Sequence, residues 1–135
     1  MNIRNANIND AKWLLDIRNN KIIRALSSDK KIILISDHVK WLKKNLANSK
    51  NINLVYVNNE EIIDWYCRLD YMSNWIYLIS IAVSPNSLSK WIGTQLINRI
   101  ISMLKIWDII NAEILDTNHK SIKFFSKYWF KKTNN

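Results

Sequence analysis

The chain has one glycine and one proline among its 135 residues, and this shortage limits the turns and close backbone contacts that it can form. At the usual frequency of about 7%, a chain of this length would carry about nine glycines. Glycine is the residue that adopts positive φ angles without strain and lets a backbone approach a ligand closely. Seven tryptophans are present instead: Trp13, Trp41, Trp65, Trp75, Trp91, Trp107 and Trp129. A compact domain must therefore place other residue types where glycine is normally favoured.

Length and composition predict one globular domain spanning residues 1–135. Hydrophobic residues make up 48% and charged residues 23% of the chain, unlike a disordered segment. No apolar run approaches the ~18 residues that cross a bilayer, and the N-terminus has no signal-peptide core. We therefore expect a cytoplasmic protein with no membrane partner. The single cysteine, Cys67, excludes an internal disulfide, and two histidines without spaced carboxylates predict no metal site.

The net charge of +9 favours an anionic partner, either nucleic acid, membrane headgroups or a phosphorylated small molecule. The basic residues are scattered, and the longest clusters are the pairs Lys30-Lys31, Lys43-Lys44 and Lys131-Lys132. The sequence has no arginine-rich stripe, zinc-finger spacing or RNP-like aromatic motif. Nucleic-acid binding is therefore the least favoured of the functions considered.

Hydrophobic periodicity and turn residues predict the element order β-α-α-β-β-β-α-β-α-β. The expected strands are 1–6, 53–57, 62–70, 76–83, 111–115 and a last one that begins at Phe130. The expected helices are 11–18, one capped by Ser36-Asp37, 90–105 and one from Asn118 to about Tyr128, while residues 20–35 hold a short helical turn and an ambiguous apolar run. Three consecutive strands favour an antiparallel meander, and the later crossover favours a parallel pair. The predicted fold class is α/β of mixed α+β type, with about six or seven strands and about four flanking helices.

The stretch from Ile79 to Leu96 is a strand, a loop and a helix start, an arrangement that can bind an anion. The first N–H groups of a helix have no internal partner, and the helix dipole adds positive potential there. From the residues alone, a plain joint between strand and helix fits at least as well as a phosphate site.

Two segments resemble motifs of the GCN5-related N-acetyltransferase (GNAT) superfamily. Pro85, the loop after it and the helix start from Lys90 to Leu96 resemble its acetyl-CoA loop. Asn118 and the segment from Ser121 to Phe130 resemble its N-x-x-S/A-I-x-F-Y-x-K-x-G-F ending. The resemblance covers essentially the whole chain and implies a GNAT-like mixed sheet. Three further segments resemble the branch that acetylates amino groups on nucleotide-linked sugars: Ile17-Arg18-Asn19, His38-Val39-Lys40-Trp41-Leu42 and Arg68-Leu69-Asp70.

The resemblance implies transfer of acetyl from acetyl-CoA to a primary amine by direct attack. The implied acceptor is an amino-sugar nucleotide, another small amine or a protein N-terminus. The implied cofactor-binding residues are Ile81, Ala82, Val83, Leu88, Ser89, Lys90, Trp91, Ile92, Gly93, Thr94, Asn118 and Phe125.

Such a reaction needs a base for the ammonium proton and an acid for the departing thiolate. Glu113 is the first candidate base, because it lies on the strand next to the cofactor strand, and His38 is the second. Tyr128 is the candidate acid. The candidate substrate contacts are Arg18, Arg68 and Asp70. Each has a plainer interpretation: a solvated carboxylate for Glu113, a surface helix histidine for His38, and surface charges for the three contacts.

The sequence departs from the family pattern at two functional positions. Phe125 stands where the family usually has a tyrosine that protonates the thiolate. In the phosphate loop, whose family pattern is Q/R-x-x-G-x-G/A, Leu88 replaces the basic or amide residue and Trp91 replaces the first glycine. An indole at that position could fill the phosphate site.

Several tryptophans fall where the family tends to carry glycine: Trp65, Trp75, Trp91, Trp107 and Trp129. We hypothesise that these are UGA codons translated as tryptophan, whereas the source organism reads UGA as glycine. UGG codons at these positions would exclude this. The rival explanation is a degenerate, catalytically impaired GNAT-fold binding or scaffold protein. Because the sequence ends five residues after Phe130, we also expect the last strand to be short or completed by a second copy in a homodimer.

Overall fold

The computed structural model describes residues 2–27, 29–85, 87, 91–128 and 130–133. One five-stranded sheet is formed by β1 (Asn2–Asn5), β2 (Ile52–Val57), β3 (Ile63–Ser73), β4 (Ile76–Val83) and β5 (Ile109–Ala112). The helices are α1 (Ala11–Asn19), α2 (Lys21–Ala25), α3 (Ile35–Ala47), α4 (Ile92–Met103) and α5 (His119–Ser126), and a 3-10 turn (Ile8–Asp10) precedes α1. The predicted mixed α/β fold is confirmed.

The sheet has fewer strands than the predicted six or seven. β1 to β4 pair antiparallel in chain order, and β5 pairs parallel with β4, as the meander and the crossover predict. Residues 130–133 form no strand. The apolar run at 32–34 forms none either, and its Ile32 and Leu34 are 65% and 63% exposed, so no neighbouring strand covers it. Apolar residues alone do not make a strand where no sheet edge is available to pair with them.

The helix α1 begins after Asp10, within the predicted cap Asn9-Asp10, but Asp10 makes no side-chain cap bond there, and a capping box starts the 3-10 turn before it. The Asn7 side chain accepts a hydrogen bond from the Asn9 backbone N–H, and the Asp10 carboxylate accepts one from the Asn7 backbone N–H, each at 2.9 Å. Arg4 of β1 donates to both Asp10 oxygens at 2.8 and 2.9 Å. Asp10 is buried, yet the hydrogen bonds from Arg4 and Asn7 outweigh its desolvation and lower its pKa. This pair joins β1 to the start of α1.

Apolar residues on the two faces of the sheet form two cores, because side chains alternate between faces along each strand. On one face, α4 and α5 cover residues that include Leu54, Cys67, Ile79 and Phe125. On the other, α1 and α3 cover residues that include Val55 and others of β2 and β3. Cys67 is a buried strand residue, and burial raises the pKa of its thiol, so it is not a reactive nucleophile. No helix among the described residues is long and apolar enough to cross a membrane.

A two-residue turn, Asn74-Trp75, joins β3 to β4. Ser73 pairs with Ile76 across the hairpin. Asn74 and Trp75 have φ angles of 49° and 63°, both in the left-handed region. Hairpin turns with two positive φ angles favour the sequence Asn-Gly, because the second position carries a steric penalty for any side chain. Trp75 is therefore a bulky residue in a glycine position.

Candidate functional site

A cleft of about 410 Å³ opens where β4 and β5 separate, and we call it the splay cleft. The parallel ladder between the two strands ends at the pair Ile79 and Ala112. Beyond this pair, residues 80–82 of β4 form one wall, and residues 113–115, after β5, form the other. Because β5 does not pair with this part of β4, backbone groups on that edge are free to hydrogen-bond with a ligand.

The structure brings four of the predicted cofactor-binding residues to the splay cleft. Ile81 and Ala82 line it from β4, and Asn118 and Phe125 line it from α5 and the residue before it. The Asn118 side chain also caps α5, accepting from the Ser121 backbone N–H at 3.3 Å. Phe125 is buried and packs on Phe130, with ring centroids 4.9 Å apart. Val83 ends β4 and does not line the cleft.

Of the other predicted cofactor-binding residues, Leu88, Ser89 and Lys90 lie outside the described residues, and Trp91 to Thr94 lie at the start of α4. Trp91 precedes the helix, is 50% exposed and makes no side-chain cap. Ile92 and Gly93 are buried in the first turn. The structure thus places Trp91 directly before α4, with about half of the residue exposed.

A different tryptophan packs against the start of α4. A Cβ atom on Gly93 would lie 2.8 Å from Phe124 Cε2 and 3.1 Å from Trp65 Cη2, so both rings contact the helix at its only glycine. The Trp65 indole N–H donates to Ser87 Oγ at 3.2 Å, in the loop before the helix. Trp65, more than Trp91, is therefore the indole that occupies space beside the predicted phosphate site.

The candidate base Glu113 reaches the splay cleft, whereas the candidate acid Tyr128 does not. Glu113 directly follows β5, lines the cleft and has an exposed side chain. The Tyr128 hydroxyl hydrogen-bonds with the Thr94 hydroxyl, which ties the end of α5 to the first turn of α4. Among the described residues that line the cleft, Tyr128 is absent, and the aromatic side chains at its wall are Phe125 and Tyr66.

A second cleft of about 260 Å³ adjoins the first, and we call it the arginine cleft. Arg18, Tyr66 and Arg68 line both clefts, so the two clefts are neighbours that share these three side chains. The remaining residues that line the arginine cleft are Ile33, Asp37, His38 and Trp41. The fold thus brings together two predicted substrate contacts and the second candidate base, which are far apart in sequence.

His38 is buried, although the plainer interpretation makes it a surface histidine. Its side chain is 3% exposed, and its ring stacks on Trp41 with centroids 5.8 Å apart. Among the described residues, Nε2 has no hydrogen-bond partner. Burial and the positive charge of Arg18 lower the pKa of His38, while a hydrogen bond to the Ala11 backbone partly offsets this. The imidazole is therefore neutral at pH 7.

Asp70, the third predicted substrate contact, lies behind Arg68 and lines neither cleft. Its carboxylate accepts from Arg68 Nε at 3.0 Å and from Asn45 Nδ2 at 2.8 Å. The Arg68 guanidinium lies 4.7 Å from the centroid of the Trp41 ring. Asp70 is thus a positioning residue that fixes Arg68 between a carboxylate and an indole.

Sequence reasoning missed the polar network that supports this cleft. The Tyr66 hydroxyl donates to Asn53 at 2.6 Å, and Asn53 donates to Asn45 at 2.7 Å. Burial raises the pKa of Tyr66 to about 12, so its hydroxyl keeps its proton. Tyr66 alternates with the predicted contact Arg68 on one face of β3, and this spacing is a signal that could have pointed to Tyr66. Nothing in the sequence pairs Asn45 with Asn53, because they come from a helix and a strand.

The described residues contain no group of three or more His, Cys, Asp or Glu side chains that could hold a metal ion.

The sequence profile of the acetyltransferase (GNAT) family matches residues 20–129. No curated protein sequence matches the chain.

The fold is similar to solved acetyltransferase structures. An N-acetyltransferase from Staphylococcus aureus Mu50 has 24% identity and a TM-score of 0.85, covering 98% of this chain and 84% of that one. A ribosomal-protein-alanine N-acetyltransferase from Brucella melitensis has 19% identity and a TM-score of 0.84, covering 99% and 86%. A phosphinothricin acetyltransferase from Sinorhizobium meliloti, in complex with acetyl-CoA, has 15% identity and a TM-score of 0.85, covering 98% and 76%. Together with the profile match, these similarities place the chain in the GNAT family of acetyltransferases.

Proposed function

We propose that this protein is an acetyl-CoA-dependent N-acetyltransferase that acts on the primary amine of a small molecule. The observation that carries the proposal is the splay cleft, in which the β4 edge at Ile81 and Ala82 is left unpaired beside Asn118. An extended pantetheine arm carries amide groups that suit such an edge. The pyrophosphate would lie at the start of α4, where helix N–H groups have no internal partner. Bound acetyl-CoA would supply the thioester.

The cleft offers a base for the reaction. The neutral amine attacks the thioester carbonyl carbon, so that a C–N bond forms and the C–S bond breaks. The proton of the resulting ammonium passes to Glu113, directly or through a water. The departing thiolate takes a proton from solvent, because Phe125 has none to donate. Since an ordinary thiol has a pKa near 8.5, the thiolate is a tolerable leaving group, and turnover is slowed rather than abolished.

An amino-sugar nucleotide is the acceptor that we favour among small amines. The sequence resemblance to that branch supports it, and so does the position of Arg18 and Arg68 beside the splay cleft. A protein N-terminus is the second candidate, because one solved structure of the same fold is named for a ribosomal-protein alanine. The arginine cleft, at about 260 Å³, is better suited to a small polar molecule.

The alternative is a catalytically impaired binding or scaffold protein. Two observations favour it: the Trp65 indole packs beside the predicted phosphate site, and Phe125 replaces the family's tyrosine. These features oppose acetyl-CoA binding and fast turnover, respectively. They leave the fold intact.

Calorimetric titration with acetyl-CoA distinguishes the two functions. The chain as written is compared with Trp65→Gly and Trp91→Gly, and Trp107→Gly serves as the control because Trp107 is exposed and lines neither cleft. We expect saturable binding at micromolar strength, strengthened by Trp65→Gly and unchanged by Trp107→Gly. Absence of binding in all the proteins would overturn the acetyltransferase proposal and favour the scaffold.

A further inference from the structure

We propose that the acceptor carries an anionic group, a carboxylate or a phosphate, near its amine, and that Arg18 and Arg68 bind this group in the arginine cleft. The inference rests on the proposed function, because it names the substrate class of the same site. It arises from the charges and hydrogen bonds of the residues that line this cleft.

Arg18 is a cation with no directly bound carboxylate among the described residues. It lies near the end of α1, is half-buried, and makes no hydrogen bond or ion pair with the described part of the chain. Burial and the neighbouring Arg68 charge lower its pKa, and the charges of Asp70 and Asp29 offset this only in part. A guanidinium taken from water without a partner is costly, and a bound anion removes that cost. The acidic residue in the lining, Asp37, is exposed and forms no ion pair with Arg18.

Two contacts fix the Arg68 side chain in the cleft where the anionic group of the acceptor would bind. Its Nε donates to Asp70, and its guanidinium plane lies 4.7 Å from the Trp41 ring centroid. Asp70 engages Arg68 through Nε, and the Tyr66 hydroxyl also interacts with the Arg68 side chain, but no carboxylate in the described part of the chain pairs with its Nη groups. An arginine fixed by a carboxylate and a stacked ring can offer a planar pair of N–H donors to a carboxylate or phosphate.

The position of the two arginines allows an acceptor whose anion they bind to place its amine in the splay cleft. Because Arg18 and Arg68 line both clefts, an anion bound between them leaves the rest of the acceptor free to extend into the splay cleft. Its amine then lies on the side of Ser80 and Glu113.

The test compares molecules that share an amine and differ in the anion. Glucosamine 6-phosphate is paired with glucosamine, and β-alanine with β-alaninamide. Binding of each is measured by calorimetry with the acetyl-CoA site left empty, and acetylation is measured by release of the CoA thiol. We expect the anionic member of at least one pair to bind about tenfold more tightly, and the pair that shows this identifies phosphate or carboxylate. Equal or tighter binding by the neutral member in both pairs would overturn the proposal.

Variants then assign the effect to the arginines. Arg18→Gln is expected to raise the Kd and KM for the anionic acceptor about tenfold with little change in kcat, and Arg18→Lys to recover part of the loss. Lys21→Gln is the control, because Lys21 is an exposed cation that lines neither cleft. An equal effect of Arg18→Gln on the neutral acceptor would mean a structural role and would contradict the proposal. Unchanged acetyl-CoA binding in Arg18→Gln separates this failure from failure of the proposed function.

Discussion

At the scale of one residue, Trp75 is a position where the shortage of glycine strains the backbone. Its φ angle of 63° lies in the left-handed region, where a side chain clashes with the backbone, and its indole is 57% exposed, so little packing offsets the strain. Trp65 and Trp91 lack this feature, since among the described residues positive φ occurs only at Glu61, Asn74 and Trp75. Trp129 lies outside the described residues. Of the four codon-hypothesis positions that the structure describes, Trp75 is thus the one where the backbone itself favours glycine.

Replacing Trp75 by glycine should stabilise the protein. We expect Trp75→Gly to raise the free energy of unfolding by about 1 kcal/mol, because glycine removes the left-handed strain. Urea denaturation followed by circular dichroism measures this change. Trp107→Gly is the matched control, because Trp107 is exposed and has no positive φ. Glycine at this position gives the unfolded chain more conformational freedom, so it should lower the free energy of unfolding by up to about 1 kcal/mol. A loss of stability in both variants would contradict the argument.

At the scale of elements, Gly93 is a point of close contact between α4, α5 and the sheet. The Phe124 ring of α5 and the Trp65 ring of β3 both lie within 3.1 Å of the position that a Cβ would occupy. The Phe124 ring is itself packed between Phe125 and Tyr128, with centroids 5.2 Å away from each, so it has little room to move. The glycine therefore serves helix packing as well as the predicted phosphate site.

A methyl group at Gly93 should separate these elements. We expect Gly93→Ala to lower the free energy of unfolding by about 1–3 kcal/mol, as overpacking does in other cores, despite the better helix propensity of alanine. Chemical denaturation checks the value. Asn98→Ala, at an exposed position of the same helix, should be neutral or slightly stabilising. Equal free energies of unfolding for Gly93→Ala and Asn98→Ala would contradict the close contact at Gly93. Combining Gly93→Ala with Phe124→Leu should recover part of the loss.

At the scale of the whole molecule, the sheet holds two clefts side by side. One forms because β4 and β5 diverge after Ile79 and Ala112, and the other forms between β3 and the helices α1 and α3. His38 of α3 lies in the second, facing Arg18 of α1 and Arg68 of β3. Protonation of the His38 imidazole in this cleft therefore changes the free energy of unfolding of the whole protein.

Acid should destabilise the protein through His38 before the carboxylates titrate. The folded-state pKa of His38 is lowered, so the unfolded chain binds the proton more readily, and stability falls as pH falls below about 6.5. The urea midpoint of the parent should therefore decrease from pH 7.5 to 5.5, and His38→Gln should reduce that decrease. His119→Gln, at an exposed histidine, is the control and should keep the parental slope. An unchanged slope in His38→Gln would contradict the assignment.

Local sequence patterns predicted most of the fold. The β4 bounds, Ile76 to Val83, match the prediction, because an apolar run that ends at a proline has few other interpretations. Apolar residues at helical spacing predicted which side of α4 faces the core, and Ile92, Leu96 and Ile100 are buried there. The strand predicted from Phe130 was wrong, since strands need partners that a local pattern cannot supply.

Neighbours along the chain were enough to predict the order of the strands and main helices from β1 to α5, and the resemblance to the GNAT family. Three-dimensional packing was needed to bring Arg18, His38 and Arg68 to one cleft, to join Tyr128 to Thr94, and to place Trp65 on Gly93. These contacts join residues from different helices and strands, and their distances follow from how the elements pack on the sheet. A sequence pattern carries no information on such packing until the fold is built.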